Sequence, residues 1–332
     1  MTKPRVAVIG CGGTISSIST HALDVLDYTE FGRKMSVGEA LAMVPEIGQF
    51  VEPALVPYRE VGSSAIGPQD WLHLAETIAR MIAQDEGIAG FVILHGTATI
   101  EETAFFLNLV LKTDKPVVLV GAQRPMNALS SDAPMNLVGA MRTAIHPDAR
   151  GKGVLVTLND EIHAARDVTK TSTYRLQTFR SPDFGLLGHI DGDAVRFYRE
   201  PLRKHTLATP FHLDAVRDLP RVDIVYAYAG ADEVAIKAFR AAGARGLVSG
   251  AFAPGLPTPA QKRALEIAAA EGVVVVQASR AGSGRVARRR YLLEKGMVGS
   301  DNLPPHKARI LLMLALTITN DPDAIQEMFE TY

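Results

Sequence analysis

Four short and almost uninterrupted apolar runs, Val6 to Ile9, Gly90 to Leu94, Pro116 to Val120 and Gly153 to Leu158, punctuate the first half of the chain. Runs this short, with no polar residue at every second position, are strands covered on both faces, which is the pattern of a parallel sheet. Between them, Asp70 to Gln84 sets Trp71, Leu74, Ile78, Met81 and Ile82 at helical spacing. Glu101 to Leu111 and Asp132 to His146 carry the same period, and Pro134 is tolerable in a first helical turn. Strand and helix in alternation require a wound α/β architecture.

A single hydrophobic core stops growing at roughly 250 to 300 residues, so 332 residues call for two domains. The alternation decays into polar sequence from Asp193 to Arg221, broken by Pro201, Pro210 and Pro220, and resumes with Val222 to Tyr228. A helix near Ala231 to Ala242, a strand Gly246 to Ser249, a helix near Pro257 to Glu271 and a strand Val273 to Gln277 follow, with two terminal helices, Lys307 to Thr319 and Asp321 to Tyr332. The expected fold class is therefore α/β and two-domain. A larger N-terminal catalytic domain over residues 1–195, with a wound, mostly parallel sheet flanked by helices, is joined by a linker at 196–221 to a smaller C-terminal α/β domain at 222–332.

Lys and Arg total 35 against 36 for Asp and Glu, so no broad field attracts nucleic acid or an anionic membrane. The one cysteine, Cys11, excludes an intrachain disulfide and a thiolate metal cluster. No run approaches the roughly 18 apolar residues of a membrane span. The first strand begins almost at once, with no basic and apolar leader before it, so the chain reads as cytoplasmic, or periplasmic if an export signal has been removed.

In wound α/β sheets ligands gather at the carboxyl ends of strands, and three polar segments fall there. Gly10-Cys11-Gly12-Gly13-Thr14 follows the first strand, its glycines allowing a sharp turn and close backbone approach to a ligand. A dinucleotide loop fails, because Ile15 stands where a third glycine belongs, and no P-loop lysine follows. His95 to Thr103 follows the strand ending at Leu94; taken alone, threonines ahead of Glu101-Glu102 are a helix cap. Asp167 to Thr171 contains Lys170, which alone would be an ordinary solvated charge. A threonine hydroxyl is a weak nucleophile until a base takes its proton, and a partly desolvated lysine can do so. Thr14, Thr97 and Lys170 thus read together as nucleophile, relay hydroxyl and base.

These segments resemble the bacterial-type L-asparaginase/glutaminase family, marked by Gly-Gly-Thr-Ile after the first strand, His-Gly-Thr-Asp-Thr-x-Glu-Glu-Thr-Ala, and Asp-Val-x-Lys. The likeness extends through Lys115 to Pro125, Gly299-Ser300-Asp301-Asn302-Leu303 and Lys307-Ala308-Arg309. The resemblance implies an amidohydrolase acting through a threonine acyl-enzyme on a small carboxylic amide, with no metal or organic cofactor. It also implies a homotetramer, a dimer of dimers, whose neighbouring subunits complete each active site. By motif, Thr14 matches the nucleophile, Thr97 and Lys170 the second threonine and the lysine, and Tyr28 the tyrosine of a mobile lid. Gly62, Ser63 and Ser64 match the segment that holds the substrate carboxylate. Gly96 flanks the second threonine.

The chain departs from the family where an α-ammonium would be read. Ala98 replaces the aspartate that grips that group, and Arg289 replaces an acidic residue of the neighbouring subunit, within the basic run Arg285, Arg288, Arg289, Arg290. Ser63-Ser64 stands for Ser-Gln, and Gly250 to Gly255 for a Gly-Asn-Gly-Asn loop. Retained catalytic residues with an altered pocket imply either L-asparagine or a related amide without a free ammonium. A non-catalytic small-molecule sensor, or an ammonia-releasing amidotransferase subunit, would carry the same fold; the latter brings an extra N-terminal domain and a nucleic-acid surface that this sequence lacks.

Overall fold

The computed structural model describes residues 2–332 in two compact units, one ending at Thr209 and the other running from Pro210 to Tyr332. In the first, the strands are β1 (Arg5–Gly12), β2 (Ser17–Ile18), β3 (Arg33–Lys34), β4 (Glu52–Val61), β5 (Ile88–Leu94), β6 (Val117–Val120), β7 (Val154–Leu158), β8 (Glu161–Ala164), β9 (Thr169–Lys170), β10 (Phe179–Arg180), β11 (Gly188–Ile190) and β12 (Val195–Phe197). Its helices are α1 (Tyr28–Phe31), α2 (Val37–Ala42), α3 (Pro68–Gln84), α4 (Ile100–Val110) and α5 (Ala133–Ala144).

Eight strands form one sheet in the order β12-β11-β8-β7-β6-β5-β1-β4, parallel from β7 to β4 and antiparallel from β8 to β12. Consecutive residues Val6 to Ile9 and Phe91 to Leu94 have no exposed surface, so both faces of the central strands are covered. One face packs against α2 and α5 through Val37, Leu41, Leu137 and Met141. On α3 and α4, Trp71 and Phe106 are buried with ring centroids 5.5 Å apart.

Two features were not expected from the apolar runs. Strand β4 carries Pro53 and Pro57 and an irregular burial pattern, and it forms the sheet edge, where a residue without an N–H does not break a ladder. The hairpin β7–β8 turns through Asn159 and Asp160, both left-handed at φ 52° and 62°, and reverses the strand direction. Strand β12 falls across the start of the proline-punctuated stretch and closes the antiparallel edge.

The chain passes from β1 to β4 on one side and then to β5 on the other, so strand order reverses at β1. The carboxyl end of β1, flanked by those of β4 and β5, is the crevice where wound α/β proteins bind ligands.

The second unit is a parallel sheet in the order β13 (Val222–Tyr226), β14 (Gly246–Ala251), β15 (Val274–Ser279), β16 (Val298–Gly299). Its helices are α6 (Val234–Ala241), α7 (Pro259–Ala270), α8 (Arg290–Glu294), α9 (Pro305–Ala315) and α10 (Pro322–Thr331). Ile236, Leu247, Leu265 and Val275 build its core, and a capping box of Thr258 and Gln261 starts α7. Among the described residues, no helix is long and apolar enough to cross a membrane.

Candidate active site

Thr14 leaves the end of β1 through Gly12 and Gly13, both left-handed at φ 78° and 81°. At Gly13 a side chain is excluded twice over. The backbone conformation disfavours one, and a Cβ there would lie 2.3 Å from both the Cα and the N of Gly96. Bare backbone against bare backbone therefore brings the loop after β1 onto the loop after β5. Gly13 N–H also donates to Val61 O at 2.9 Å, and a Cβ at Gly96 would meet Ser63 Oγ at 2.6 Å, so the loop after β4 joins the same packing.

Within this crevice the Thr14 hydroxyl hydrogen-bonds the Tyr28 hydroxyl at 2.7 Å. Tyr28 opens the short α1, in a segment closed at its base by the β2–β3 ribbon. That segment is tied down by Asn127, whose Nδ2 donates to Ser19 O at 2.9 Å while its Oδ1 accepts from Ser19 N at 2.8 Å. Burial pushes the Tyr28 phenol above its usual pKa, with the Thr14 hydrogen bond opposing, so it stays protonated at neutral pH. The Lys34 ammonium lies 5.8 Å from the Tyr28 ring centroid and donates to Ser17 Oγ at 2.7 Å.

Lys170 arrives from β9 and donates from Nζ to Thr97 Oγ1 at 2.8 Å. Its backbone N–H is held by Glu101 Oε1 at 3.1 Å, so a carboxylate that reads from sequence as a helix-start charge fixes the lysine instead. Burial lowers the Lys170 pKa, and the Glu101 charge works against that shift. Thr14, Thr97, Lys170 and Tyr28 all line one cavity of about 340 Å³, together with Val25, Leu26, Thr29, Glu30, Gln123, Thr173 and Tyr174.

His95, the histidine of the second motif, is fully buried between Gly96 O at 2.9 Å and Thr103 Oγ1 at 3.0 Å. Burial drives its pKa down to about 4, so it stands as a neutral brace for the Thr97 loop.

The residues expected to bind substrate do not form one cluster. Ser63 is buried, and its Oγ accepts from Ala98 N–H at 3.1 Å while its carbonyl accepts from Thr99 Oγ1 at 2.8 Å. It ties two loops together, the one after β4 and the one after β5. Gly62, Ser64 and Ala98 are exposed and Gly96 is buried; none of the four lines the cavity. Arg289 belongs to the second unit, immediately before α8, with its Nε enclosed and without a hydrogen-bond partner. Its neighbours in the basic run are tied within that unit, Arg285 to Asp301, Arg288 to Asp323 and Arg290 to Glu294, each at 2.6 Å.

The sequence reading passed over Gln123, Thr173, Tyr174 and the positioning role of Glu101. Gln123 stands just past the end of β6, so the strand-end rule that singles out Thr14 and Thr97 finds it as well. Thr173 and Tyr174 follow Lys170 in an irregular loop and carry no comparable signal. Among the described residues, no three His, Cys, Asp or Glu side chains converge as a metal ion requires.

Residues 5–203 match the family model described as asparaginase, N-terminal, and residues 221–329 that of the glutaminase/asparaginase C-terminal domain. The chain is 40% identical to "Probable L-asparaginase periplasmic" of Haemophilus influenzae, over 99% of this chain and 93% of that protein. It is 36% identical to a glutaminase-asparaginase of Pseudomonas fluorescens biotype A, over 99% and 90%. A crystal structure described as probable cytoplasmic L-asparaginase from Campylobacter jejuni superposes with a TM-score of 0.95 at 40% identity, covering 99% of this chain and all of that one. With both family models matched in order and relatives aligned end to end, the chain belongs to the asparaginase family.

Proposed function

We propose that the chain is an amidohydrolase that releases ammonia from a small carboxylic amide through an acyl-enzyme on Thr14. The observation that carries this reading is the pairing of two hydroxyls with two activating groups around one cavity: Thr14 with Tyr28 at 2.7 Å and Thr97 with Lys170 at 2.8 Å. Thr14 Oγ attacks the amide carbon as its proton passes to the Tyr28 oxygen, whose own proton moves on toward the amide nitrogen. The C–N bond breaks, ammonia leaves with that proton, and an ester to Thr14 remains. Lys170, held toward its neutral form by burial, takes a proton through Thr97 from the incoming water, whose oxygen attacks the ester carbon. Cleavage of the ester returns the proton to Thr14 and frees the acid.

Names of the relatives point to asparagine and glutamine as substrates, and Ala98 points away from the free amino acid, because no carboxylate stands there for an ammonium. Such a charge-assisted partner contributes about 1.5 to 3 kcal/mol. The preferred substrate is therefore proposed to be an amide without a free α-ammonium. Ammonia release is measured over L-asparagine, L-glutamine, succinamic acid and Nα-acetyl-L-asparagine. Turnover of one of them, abolished in Thr14→Ala, supports the reading; none at any amide, together with stabilisation by ligand, identifies a sensor.

Assembly is proposed as a homotetramer, supported by the exposed apolar side chains Leu23, Leu26, Phe31 and Leu129 around the Tyr28 segment. Sedimentation equilibrium measures it, and a monomer refutes it. A cytoplasmic location rests on likeness to the Campylobacter protein, and cell fractionation decides it.

A further inference from the structure

Proton transfer between Thr14 and Tyr28 requires that two hydroxyls 14 positions apart in the chain stay at hydrogen-bond distance. The chain leaves β2 at Ile18 and comes back at Arg33 in β3, so the stretch that carries Tyr28 is a loop on a narrow neck. The neck is tight: a Cβ at Gly32 would lie 2.5 Å from both Ile18 O and Tyr28 O.

Lys34 stands in that neck, opposite Ser17 in the β2–β3 pairing. Its Nζ donates to Ser17 Oγ at 2.7 Å, and Ser17, fully buried, donates in turn to Gly13 O at 2.8 Å. Gly13 O belongs to the peptide bond that enters Thr14, and it also accepts from Ser16 N–H at 3.1 Å. Because that peptide is planar, fixing its oxygen fixes the direction from which Thr14 leaves the turn. The same ammonium lies 5.8 Å from the Tyr28 ring centroid, within the reach of a cation–π attraction. Lys34, Ser17, Gly13, Thr14 and Tyr28 thus close a ring of contacts in which one charge is linked to both reacting residues.

An ordinary lysine keeps its ammonium in water. Lys34 is half-buried; burial works against its charge, and the Glu30 carboxylate works for it. It does not line the cavity, so it reaches the chemistry through its neighbours and leaves the substrate untouched.

We propose that Lys34 is a positioning residue whose ammonium, through Ser17 on one side and the Tyr28 ring on the other, holds the Thr14 and Tyr28 hydroxyls in register for proton transfer. This role rests on the reading of the site as an amidohydrolase. Lys34 itself makes and breaks no bond.

The test is a double-mutant cycle on the full-length enzyme. Lys34→Met keeps most of the apolar stem and removes the ammonium, and ammonia release is followed from the best substrate of the wild type. The expected result is a loss of about 10- to 100-fold in kcat, the range of a lost hydrogen bond to a charged group, with KM within about twofold. In the Tyr28→Phe background, where no pair of hydroxyls remains to be held, the same substitution should cost less than about threefold. A loss of equal size in both backgrounds, or an unchanged kcat in Lys34→Met, overturns the assignment. Hydrogen exchange of the backbone amides in residues 19–32 supplies a readout independent of turnover, expected to be about tenfold faster in Lys34→Met. If wild type hydrolyses no amide, the amidohydrolase reading falls by itself, and faster exchange in Lys34→Met still upholds the brace; equal exchange refutes it. Should Lys34→Met fail to fold, Lys34→Gln, also uncharged, repeats the cycle.

Discussion

Adding one methyl group at Gly13 tests whether backbone contact between loops sets the catalytic geometry. In Gly13→Ala the new Cβ would start 2.3 Å from Gly96 backbone atoms, whereas ordinary contact begins at 3.4 Å. One of the two loops must therefore retreat by about 1 Å, and misplacement of that size costs about 100-fold in rate. The residue must in addition hold φ 81° with ψ −175°, a region open essentially to glycine alone, which costs about 1–3 kcal/mol for any other side chain. Gly151, at φ 74° with nothing within 4 Å of its Cβ position, supplies the control, because Gly151→Ala bears a positive-φ penalty without any overlap. We expect Gly151→Ala to lower Tm by about 2–8 °C, at 2–4 °C per kcal/mol, with kcat unchanged. Gly13→Ala should lose more stability than that and about 100-fold in kcat, as read by scanning calorimetry and ammonia release. If Gly13→Ala matches Gly151→Ala in Tm and keeps kcat within about twofold of wild type, the contact does not position Thr14 and the reasoning is wrong.

Other perturbations probe the chemistry. Tyr28→Phe removes the hydroxyl 2.7 Å from Thr14 and should lower kcat by about 10²-fold or more with the melting temperature preserved; retained kcat would exclude Tyr28 from proton transfer. Lys170 acts as a base only when neutral, and burial lowers its pKa below the ordinary lysine value of 10.5, so kcat should rise with pH through that depressed value. Lys170→Gln should lose about 10²–10⁴-fold in kcat together with this alkaline limb, and a surviving limb assigns the titration elsewhere. The same shift enters stability. The folded chain binds the Lys170 proton less tightly than the unfolded chain, so this residue's contribution to stability increases with pH between its folded value and 10.5, measurable as a steeper rise in wild type than in Lys170→Gln. Ala98→Asp restores a carboxylate and should lower KM for L-asparagine by about 10- to 100-fold; an unchanged KM means that position 98 does not face an ammonium.

Much of the first unit was legible because its central strands are buried on both faces, and burial of that kind writes a continuous apolar run. Edge elements escape the rule. Strand β4 spends one side on solvent and tolerates Pro53 and Pro57, so its composition resembles a loop, yet it supplies the segment bearing Gly62, Ser63 and Ser64. The hairpin through Asn159 and Asp160 depends on left-handed backbone at two polar residues, which the apolar pattern does not record. Glu101 shows the limit for charges. Its place at the start of α4 suits the helix dipole, while its contact with the Lys170 backbone joins residues 69 positions apart.

The sequence by itself determined the layered α/β class, the division into two lobes and the loops after strands in which Thr14 and Thr97 lie. Each of these follows from local patterning and from the rule that ligands gather at strand ends. Only the tertiary structure decided that Gly13 rests on Gly96, that Tyr28 reaches Thr14 and Lys170 reaches Thr97, and that Gln123 joins the lining of the cavity while Ser63 turns to bracing the loops. These relations depend on strand order and register, and those are set by packing between segments far apart in the chain.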